Sequence, residues 1–204
     1  YYRDYNKCIL CGCCVRTCAE VQGDHIIDIA RRGFDSMVST PLNRDLDSSG
    51  CVFCGNCVAS CPVGALVPKK SAGEGRDWEF EKVKTICPYC GCGCAIELDV
   101  RDGKVVKPSL ATEGPVNGMA LCVKGRFGLD FIHHKDRLTK PLLRQDDGSF
   151  KPISWKKAIT MIADRLTAIK NAHGPNAIAG FASGKCTNEE NFVFQKLMRA
   201  AIGT

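Results

Sequence analysis

The sequence lacks the features of membrane, secreted and nicotinamide-binding proteins. It has no apolar run of about 18 residues that could span a bilayer. The segment from Tyr1 to Lys7 is polar, unlike a secretory leader. No G-x-G-x-x-G fingerprint occurs, and the phosphate-loop-like stretch Gly180 to Thr187 lacks both the first glycine and the final Ser or Thr. These absences favour a soluble, cytoplasmic protein and argue against a nicotinamide site within the chain.

Cysteine, by contrast, is abundant: the chain has 15 in 204 residues, and nine of them precede residue 62. Cysteine at this density indicates either disulfides or metal binding. Because the reducing cytoplasm disfavours disulfides, thiolate metal sites are the better interpretation.

Two cysteine runs share the spacing C-x2-C-x2-C-x3-C. The runs contain Cys8, Cys11, Cys14 and Cys18, and then Cys51, Cys54, Cys57 and Cys61. This spacing is typical of 4Fe–4S proteins, in which the fourth cysteine of each run ligates the other cluster. We therefore predict one cluster on Cys8, Cys11, Cys14 and Cys61, and a second on Cys51, Cys54, Cys57 and Cys18. Structural zinc is the alternative, but a zinc tetrahedron uses pairs of cysteines rather than three evenly spaced ones with a crossed fourth.

A third group has the spacing C-x2-C-x3-C followed by a distant cysteine. Its members are Cys87, Cys90, Cys94 and Cys122. This set can hold a third cubane, although by spacing alone zinc is a closer rival here. Of the remaining cysteines, Cys13 and Cys92 are out of step with the ligand spacing. Cys186 could be a nucleophile or a metal ligand, but no histidine lies near it in sequence, and we assign none of the three a role.

The net charge of +6 counts every cysteine as neutral. An oxidised 4Fe–4S cluster with its four thiolates carries about −2, so three clusters would contribute about −6. The basic balance is therefore mostly compensation for cofactor charge, and it does not indicate nucleic-acid binding.

Hydrophobic periodicity predicts short strands first and helices later. Two β-rich runs around Arg31-Arg32-Gly33 and two more around Arg101-Asp102-Gly103 favour hairpins. A helix is expected from Ser154, as N-cap, to Gly174, and a second after the capping box that starts at Thr187. Residues 177–182 are a strand candidate.

Long ordered motifs carry a family resemblance. The first 68 residues resemble a bacterial two-cluster ferredoxin domain. The stretches ICPYCGCGCAIELDV, LCVKGRFGLDFIHHKDRLTKPLLR and ASGKCTNEENFVFQKLMRA resemble the N-terminal part of molybdopterin-dependent formate dehydrogenase catalytic subunits.

The resemblance implies cofactors, partners and a role for one lysine. Cys87, Cys90, Cys94 and Cys122 match the ligands of the cluster nearest the pterin, and Lys124 matches a lysine between that cluster and the pterin. It could hydrogen-bond the pterin and assist electron passage; a solvated surface lysine is the alternative. The full-length enzyme would bind molybdenum or tungsten between two molybdopterin guanine dinucleotides and act on formate or carbon dioxide. Expected partners are redox subunits, such as a flavin and NAD(P) module, a ferredoxin or a hydrogenase.

The sequence also departs from the family pattern. Ala19 follows Cys18 where the family has proline, and Cys13 stands at a place expected to be basic. The chain does not begin with Met and stops before the family's metal-ligating cysteine or selenocysteine, so we expect a piece of a longer polypeptide without the complete catalytic centre.

The expected fold has four successive parts, three domains and a linker. They are an α+β ferredoxin-like domain with two clusters (1–68), a linker (69–84), a small β-rich domain with one cluster (85–140), and the truncated start of an α/β molybdopterin-binding domain (141–204). Two other functions stay open. One is a non-catalytic iron–sulfur subunit like the large subunit of NADH dehydrogenase, and the other is a zinc-stabilised interaction module.

Overall fold

The computed structural model describes residues 1–109 and 114–204. These residues divide into two compact units. The first comprises Tyr1–Pro88 and Gly93–His133, and the second comprises Tyr89–Cys92 and His134–Thr204. None of the helices in the described ranges has both the length and the apolar character needed to cross a bilayer.

Short strands frame the cysteine runs at the start of the first unit. They are β1 (Tyr2–Arg3), β2 (Asp28–Ala30), β3 (Met37–Ser39) and β4 (Leu66–Val67). β1 pairs antiparallel with β4, and β2 pairs antiparallel with β3. The pairing of β2 with β3 confirms the hairpin predicted around Arg31-Arg32-Gly33.

Each cysteine run opens a short helix directly after a glycine. α1 (Cys13–Arg16) follows Gly12, and α2 (Asn56–Ala59) follows Gly55. Both glycines have left-handed φ angles, 73° and 71°, which a residue with a Cβ adopts only with strain. α1 continues as a π-helical turn, Thr17–Gln22, which contains Cys18. The small core between these elements is built from Ile27, Val38, Cys57 and Leu66.

A three-stranded antiparallel sheet follows. Its strands are β5 (Glu81–Ile86), β6 (Ala95–Arg101) and β7 (Lys104–Ser109), in that order. The hairpin of β6 and β7 is as predicted, but β5 begins where a linker was expected, so that prediction is wrong from Glu81 onward. β5 alternates charged side chains with Val83 and Thr85, a pattern that suits a sheet edge and resembles a polar linker in composition.

A buried carboxylate is held at the centre of this sheet. Asp99 is fully buried, and Lys82 donates to its Oδ1 at 2.7 Å. The ammonium of Lys107 lies 3.5 Å from Oδ2. Two lysines from the strands on either side therefore neutralise this one carboxylate. After the sheet comes α3 (Val123–Phe127), with Cys122 at its N-cap.

The second unit contains a hairpin and two longer helices. Its elements are β8 (Leu142–Arg144), β9 (Phe150–Pro152), α4 (Trp155–His173) and α5 (Asn188–Lys196). The Ser154 side chain caps α4 by accepting from the Lys157 N–H at 3.2 Å, and Gly174 ends it. At α5 the capping box is complete: Thr187 accepts from the Glu190 N–H, and the Glu190 carboxylate accepts from the Thr187 N–H.

Residues 178–183 form no strand in the structure, and Phe181 is 95% exposed. The predicted strand over 177–182 is therefore wrong. A short apolar run becomes a strand when it finds hydrogen-bonding partners, and β8 and β9 pair with each other instead.

Candidate metal centres

Four cysteines line a first cavity in the first unit. They are Cys8, Cys11, Cys14 and Cys61, so three come from the first run and one from the second. The cavity encloses about 460 Å³, part of it open to solvent. A Cβ on Gly12, beside these cysteines, would find nothing within 4 Å, so the wall is open at that point. The structure thus brings together the thiols that the spacing predicts for one cluster.

A second cavity, of about 360 Å³ including space open to solvent, is lined by the complementary set. It contains Cys18, Cys51, Cys54 and Cys57. Backbone N–H groups of Ile26 and Phe53 donate to the sulfurs of Cys18 and Cys51, each at 3.4 Å. Backbone N–H groups that point at cysteine sulfur are a recurring feature of iron–sulfur ligand loops. The crossing of the two runs places Cys18 with the second run, as Cys61 is placed with the first.

Burial controls the protonation of these thiols when no metal is bound. It raises the pKa of Cys57 to about 12 and raises the pKa values of Cys14, Cys51 and Cys54. Neighbouring thiolates in each cavity raise them further, because like charges disfavour one another. Metal binding must therefore release protons from these sites.

The two cavities fit iron–sulfur clusters by donor type and number. Each offers four thiols, the donor set that a 4Fe–4S cubane requires. Within residues 1–109 and 114–204, no three or more His, Cys, Asp or Glu side chains are arranged to bind a single metal ion.

Three of the four third-group cysteines lie in the first unit. Cys87 is buried just after β5, and its N–H donates to the Cys94 carbonyl at 2.8 Å. Cys122 is the N-cap residue of α3, and a Cβ on Gly125 of that helix would lie 3.4 Å from the Cys87 sulfur. The structure therefore brings α3 close to Cys87.

Cys90 lies in the turn Tyr89–Cys92, which belongs to the second unit. Within that unit, the Asn188 side chain donates to the Gly91 carbonyl at 2.8 Å, and the Gly91 N–H donates to Gly184 at 3.2 Å. The first helical residue of α5 thus fixes the turn that carries this cysteine.

Lys124 lies in α3, two residues after Cys122, and is half-buried. This position keeps it beside the predicted ligand, as the spacing requires. The extra cysteines differ from one another: Cys92 is exposed, while Cys13 and Cys186 are half-buried.

Sequence reasoning missed a buried polar pair between the second cavity and α3. Asn56, between Cys54 and Cys57, is fully buried, and Arg126 of α3 is 4% exposed. The Asn56 Oδ1 accepts from the Arg126 guanidinium at 3.3 Å and from the Leu121 N–H at 3.1 Å. The only signals were a polar residue inside a ligand loop and an arginine in the K-G-R-F motif, and neither reveals burial.

Three family models match the chain in succession. Residues 2–67 match the ferredoxin-like domain of NADH-quinone oxidoreductase subunit 3. Residues 80–134 match the molybdopterin oxidoreductase Fe4S4 domain, and residues 137–204 match the molybdopterin oxidoreductase model.

Curated relatives resemble the chain over nearly its whole length. The NADPH-Fe(3+) oxidoreductase subunit alpha of Geobacter sulfurreducens is 40% identical over 201 residues, which cover 98% of this chain and 23% of the relative. Probable oxidoreductase YjgC of Bacillus subtilis is 35% identical over an alignment of 243 positions, which covers 100% of this chain and 25% of the relative. A Staphylococcus aureus protein named "Putative formate dehydrogenase" is 34% identical over 243 residues, with the same coverage. The chain spans about a quarter of the length of these relatives.

Proposed function

Because the chain belongs to the molybdopterin oxidoreductases, as their iron–sulfur segment, we propose that it conducts electrons through three 4Fe–4S clusters in a formate dehydrogenase. The observation that carries the proposal is the sorting of eight cysteines from two crossed runs into two four-thiol cavities. This spacing and this four-thiolate donor set are typical of two-cluster ferredoxins.

Each cluster has an assigned set of thiolates in this proposal. The first is held by Cys8, Cys11, Cys14 and Cys61, the second by Cys18, Cys51, Cys54 and Cys57, and the third by Cys87, Cys90, Cys94 and Cys122. The assignment of the third set depends on its spacing and on the match of residues 80–134 to an Fe4S4 domain.

Lys124 connects the third cluster to the pterin in the proposed route. Its ammonium, two residues after Cys122, would donate hydrogen bonds toward the pterin and offset cluster charge. We assign it no proton-transfer step, because its role is to hold the two redox groups in one hydrogen-bonded path.

The metal–pterin group, with molybdenum or tungsten, supplies the conversion of formate to carbon dioxide, one proton and two electrons, or the reverse. The cysteines of this chain would hold the clusters that pass these electrons one at a time, from the Cys87 set to the two ferredoxin sets. The acceptor would be a redox subunit, either a flavin and NAD(P) module, a ferredoxin or a hydrogenase. The name of the Geobacter relative, an alpha subunit, supports an assembly with other subunits.

The test uses the full-length protein, purified without oxygen. We expect molybdenum or tungsten, formate-dependent reduction of a viologen dye, and loss of that reduction in Lys124→Ala with the iron content unchanged. Lys140→Ala is a matched control, since Lys140 is an exposed lysine in the second unit. Unchanged turnover in Lys124→Ala would remove this lysine from the route.

A second function is favoured by one finding. The ferredoxin part matches a domain of NADH-quinone oxidoreductase subunit 3. An electron-carrier subunit without formate chemistry would share these clusters. It would show a full iron content but neither molybdenum, tungsten nor formate activity, so the same preparation separates the two.

A further inference from the structure

Arg126 is a buried cation beside the second cavity. Its side chain is 4% exposed, and a Cβ added to Gly55 would come within 2.8 Å of its Cγ. Gly55 lies between Cys54 and Asn56, so the arginine stem packs against the ligand loop itself. Burial lowers the pKa of Arg126 to about 10, while the thiolates of Cys54 and Cys57 raise it in opposition. A guanidinium is not deprotonated in proteins at neutral pH, so Arg126 carries a positive charge at this position.

Asn56 fixes the position of this cation. The Asn56 Oδ1 accepts from the guanidinium at 3.3 Å, and its Nδ2 donates to Gln22 at 3.1 Å. A second contact runs from the same guanidinium nitrogen to the Met119 carbonyl, also at 3.3 Å. Both acceptors are neutral, so hydrogen bonds to uncharged groups stabilise the cation.

One donor of the guanidinium is unpaired within the part of the chain that the structure describes. The Arg126 Nε is buried and finds no hydrogen-bond partner within residues 1–109 and 114–204. A buried donor without a partner destabilises the folded protein unless a bound group accepts from it. The positive charge and the unpaired Nε donor of Arg126 could therefore stabilise an anionic cluster beside Cys54 and Cys57.

On this basis, and resting on the proposed cluster at Cys18, Cys51, Cys54 and Cys57, we propose that Arg126, positioned by Asn56, raises the reduction potential of that cluster. Reduction adds one negative charge to the cluster, and a fixed positive charge in a dry environment stabilises the reduced form more than the oxidised form. Arg126 is thus a positioning and tuning residue, and it touches no substrate.

The same arrangement links the second and third ligand sets. The Asn56 Oδ1 also accepts from the Leu121 N–H, and Leu121 directly precedes Cys122. One amide oxygen therefore joins the loop of the second set to the residue beside the third. Raising the potential of the second cluster favours electron flow from the third cluster toward it.

The experiment is a redox titration of the full-length, anaerobically loaded protein, followed by electron paramagnetic resonance. Arg126→Met removes the charge and keeps an apolar stem, Arg126→Lys keeps the charge, and Arg165→Met removes an exposed arginine of α4 as the matched control. We expect Arg126→Met to make reduction of one cluster at least tenfold less favourable, a shift of about 59 mV to more negative potential for one electron. Arg126→Lys should shift it less, and Arg165→Met not at all. An unchanged potential in Arg126→Met with full iron content overturns the inference.

A measurement on the unaltered sequence covers the case in which Arg126→Met fails to fold. Protein labelled with 15N-arginine should show weak 15N coupling to one reduced cluster in electron spin-echo spectra, and Arg126→Lys should abolish that coupling. Absence of the coupling in a fully loaded protein contradicts the inference alone. Absence of the clusters themselves would overturn the proposed function instead, so the two failures are distinguishable.

Discussion

The ferredoxin region (residues 1–68) and the helical region (residues 134–204) organise their apolar residues in opposite ways. The ferredoxin region has a core of only a few side chains, and its thiols surround two cavities. The helical region has long, well-capped helices, yet Trp155, Ile159 and Ile162 on one side of α4 are each more than half exposed.

The difference shows two routes to order. In the ferredoxin region, local secondary structure is minimal, and bound clusters would hold the chain together from within. In the helical region, caps and periodicity define the helices locally, while little of their apolar surface is buried within the described residues. Cofactor loss should therefore affect the first region strongly and the second little.

The largest expected effect comes from iron removal. Chelation of the loaded protein should abolish slow hydrogen exchange at Ile27 and Val38, because the small core depends on the clusters. Protection in α4 should persist, since its hydrogen bonds and its Ser154 cap are local. Hydrogen exchange measured by mass spectrometry tests this prediction. Retained protection at Ile27 after complete iron loss would show that the ferredoxin region does not depend on its clusters more than the helical region does.

Single cysteine substitutions test which thiols bind iron in the second cavity. Cys54→Ser should lose the second cluster, about four of about twelve irons, because a hydroxyl is a poor ligand for iron. Cys13→Ser is the matched control from the other ligand loop and should keep all of its iron. Iron and sulfide analysis decides between them, and equal losses in both variants would contradict the ligand assignment.

A glycine pair separates backbone strain from packing. Gly55→Ala would place a Cβ 2.6 Å from the Phe127 ring, whereas Gly12→Ala meets nothing within 4 Å at nearly the same φ. Both should lose about 1–2 kcal/mol of unfolding free energy from the left-handed φ. Gly55→Ala should lose about 1–3 kcal/mol more through overpacking. Denaturant unfolding of the loaded proteins measures the difference in unfolding free energy between the two variants. Equal losses would contradict the overpacking prediction and would mean that Phe127 moves aside without cost.

The sheet of the first unit offers a pH-dependent test. Hydrogen bonds to Asp77 and Asp99 raise the pKa of Lys82 above 10.5, although its burial acts in the opposite direction. A raised pKa means that the Lys82 charge stabilises the fold fully below pH 10.5 and loses this effect as the pH rises through its folded pKa. Lys82→Met should therefore cost about 1.5–3 kcal/mol at pH 8, with the difference from the parent protein narrowing toward pH 12. Lys104→Met, at the exposed end of the β6–β7 hairpin, should show no such narrowing.

The smallest expected effect lies in the helical region. Thr187→Ala removes the hydroxyl that accepts from the Glu190 N–H, which should cost about 1 kcal/mol. Hydrogen exchange should rise in the first turn of α5, while the iron content stays unchanged. A Thr187→Ser variant keeps the acceptor, so its first turn of α5 should exchange like that of the parent protein. Equal exchange in Thr187→Ala and Thr187→Ser would show that the cap does not stabilise α5.

The sequence allowed prediction of those features that depend on neighbouring residues. The two hairpins, both helix caps and the grouping of eight cysteines around two cavities follow from spacing and turn chemistry. The strand β5 was missed because its charged residues resemble a linker until β6 pairs with it. A strand over 177–182 was expected wrongly because apolar composition alone supplies no partner.

The buried pair of Asn56 and Arg126 could not be predicted for a related reason. Its contacts join residues 70 positions apart, and only the packing of α3 against the ligand loop removes them from water. The identity of the third ligand set, with its lysine, stays a prediction of the spacing and of the family resemblance.

The most direct test of the central claim is the metal content of the full-length protein after anaerobic purification, combined with its Mössbauer spectrum. We expect about twelve irons from the segment's three cysteine sets, in 4Fe–4S environments. Substantially less iron, with zinc bound to the cysteines in its place, would contradict it.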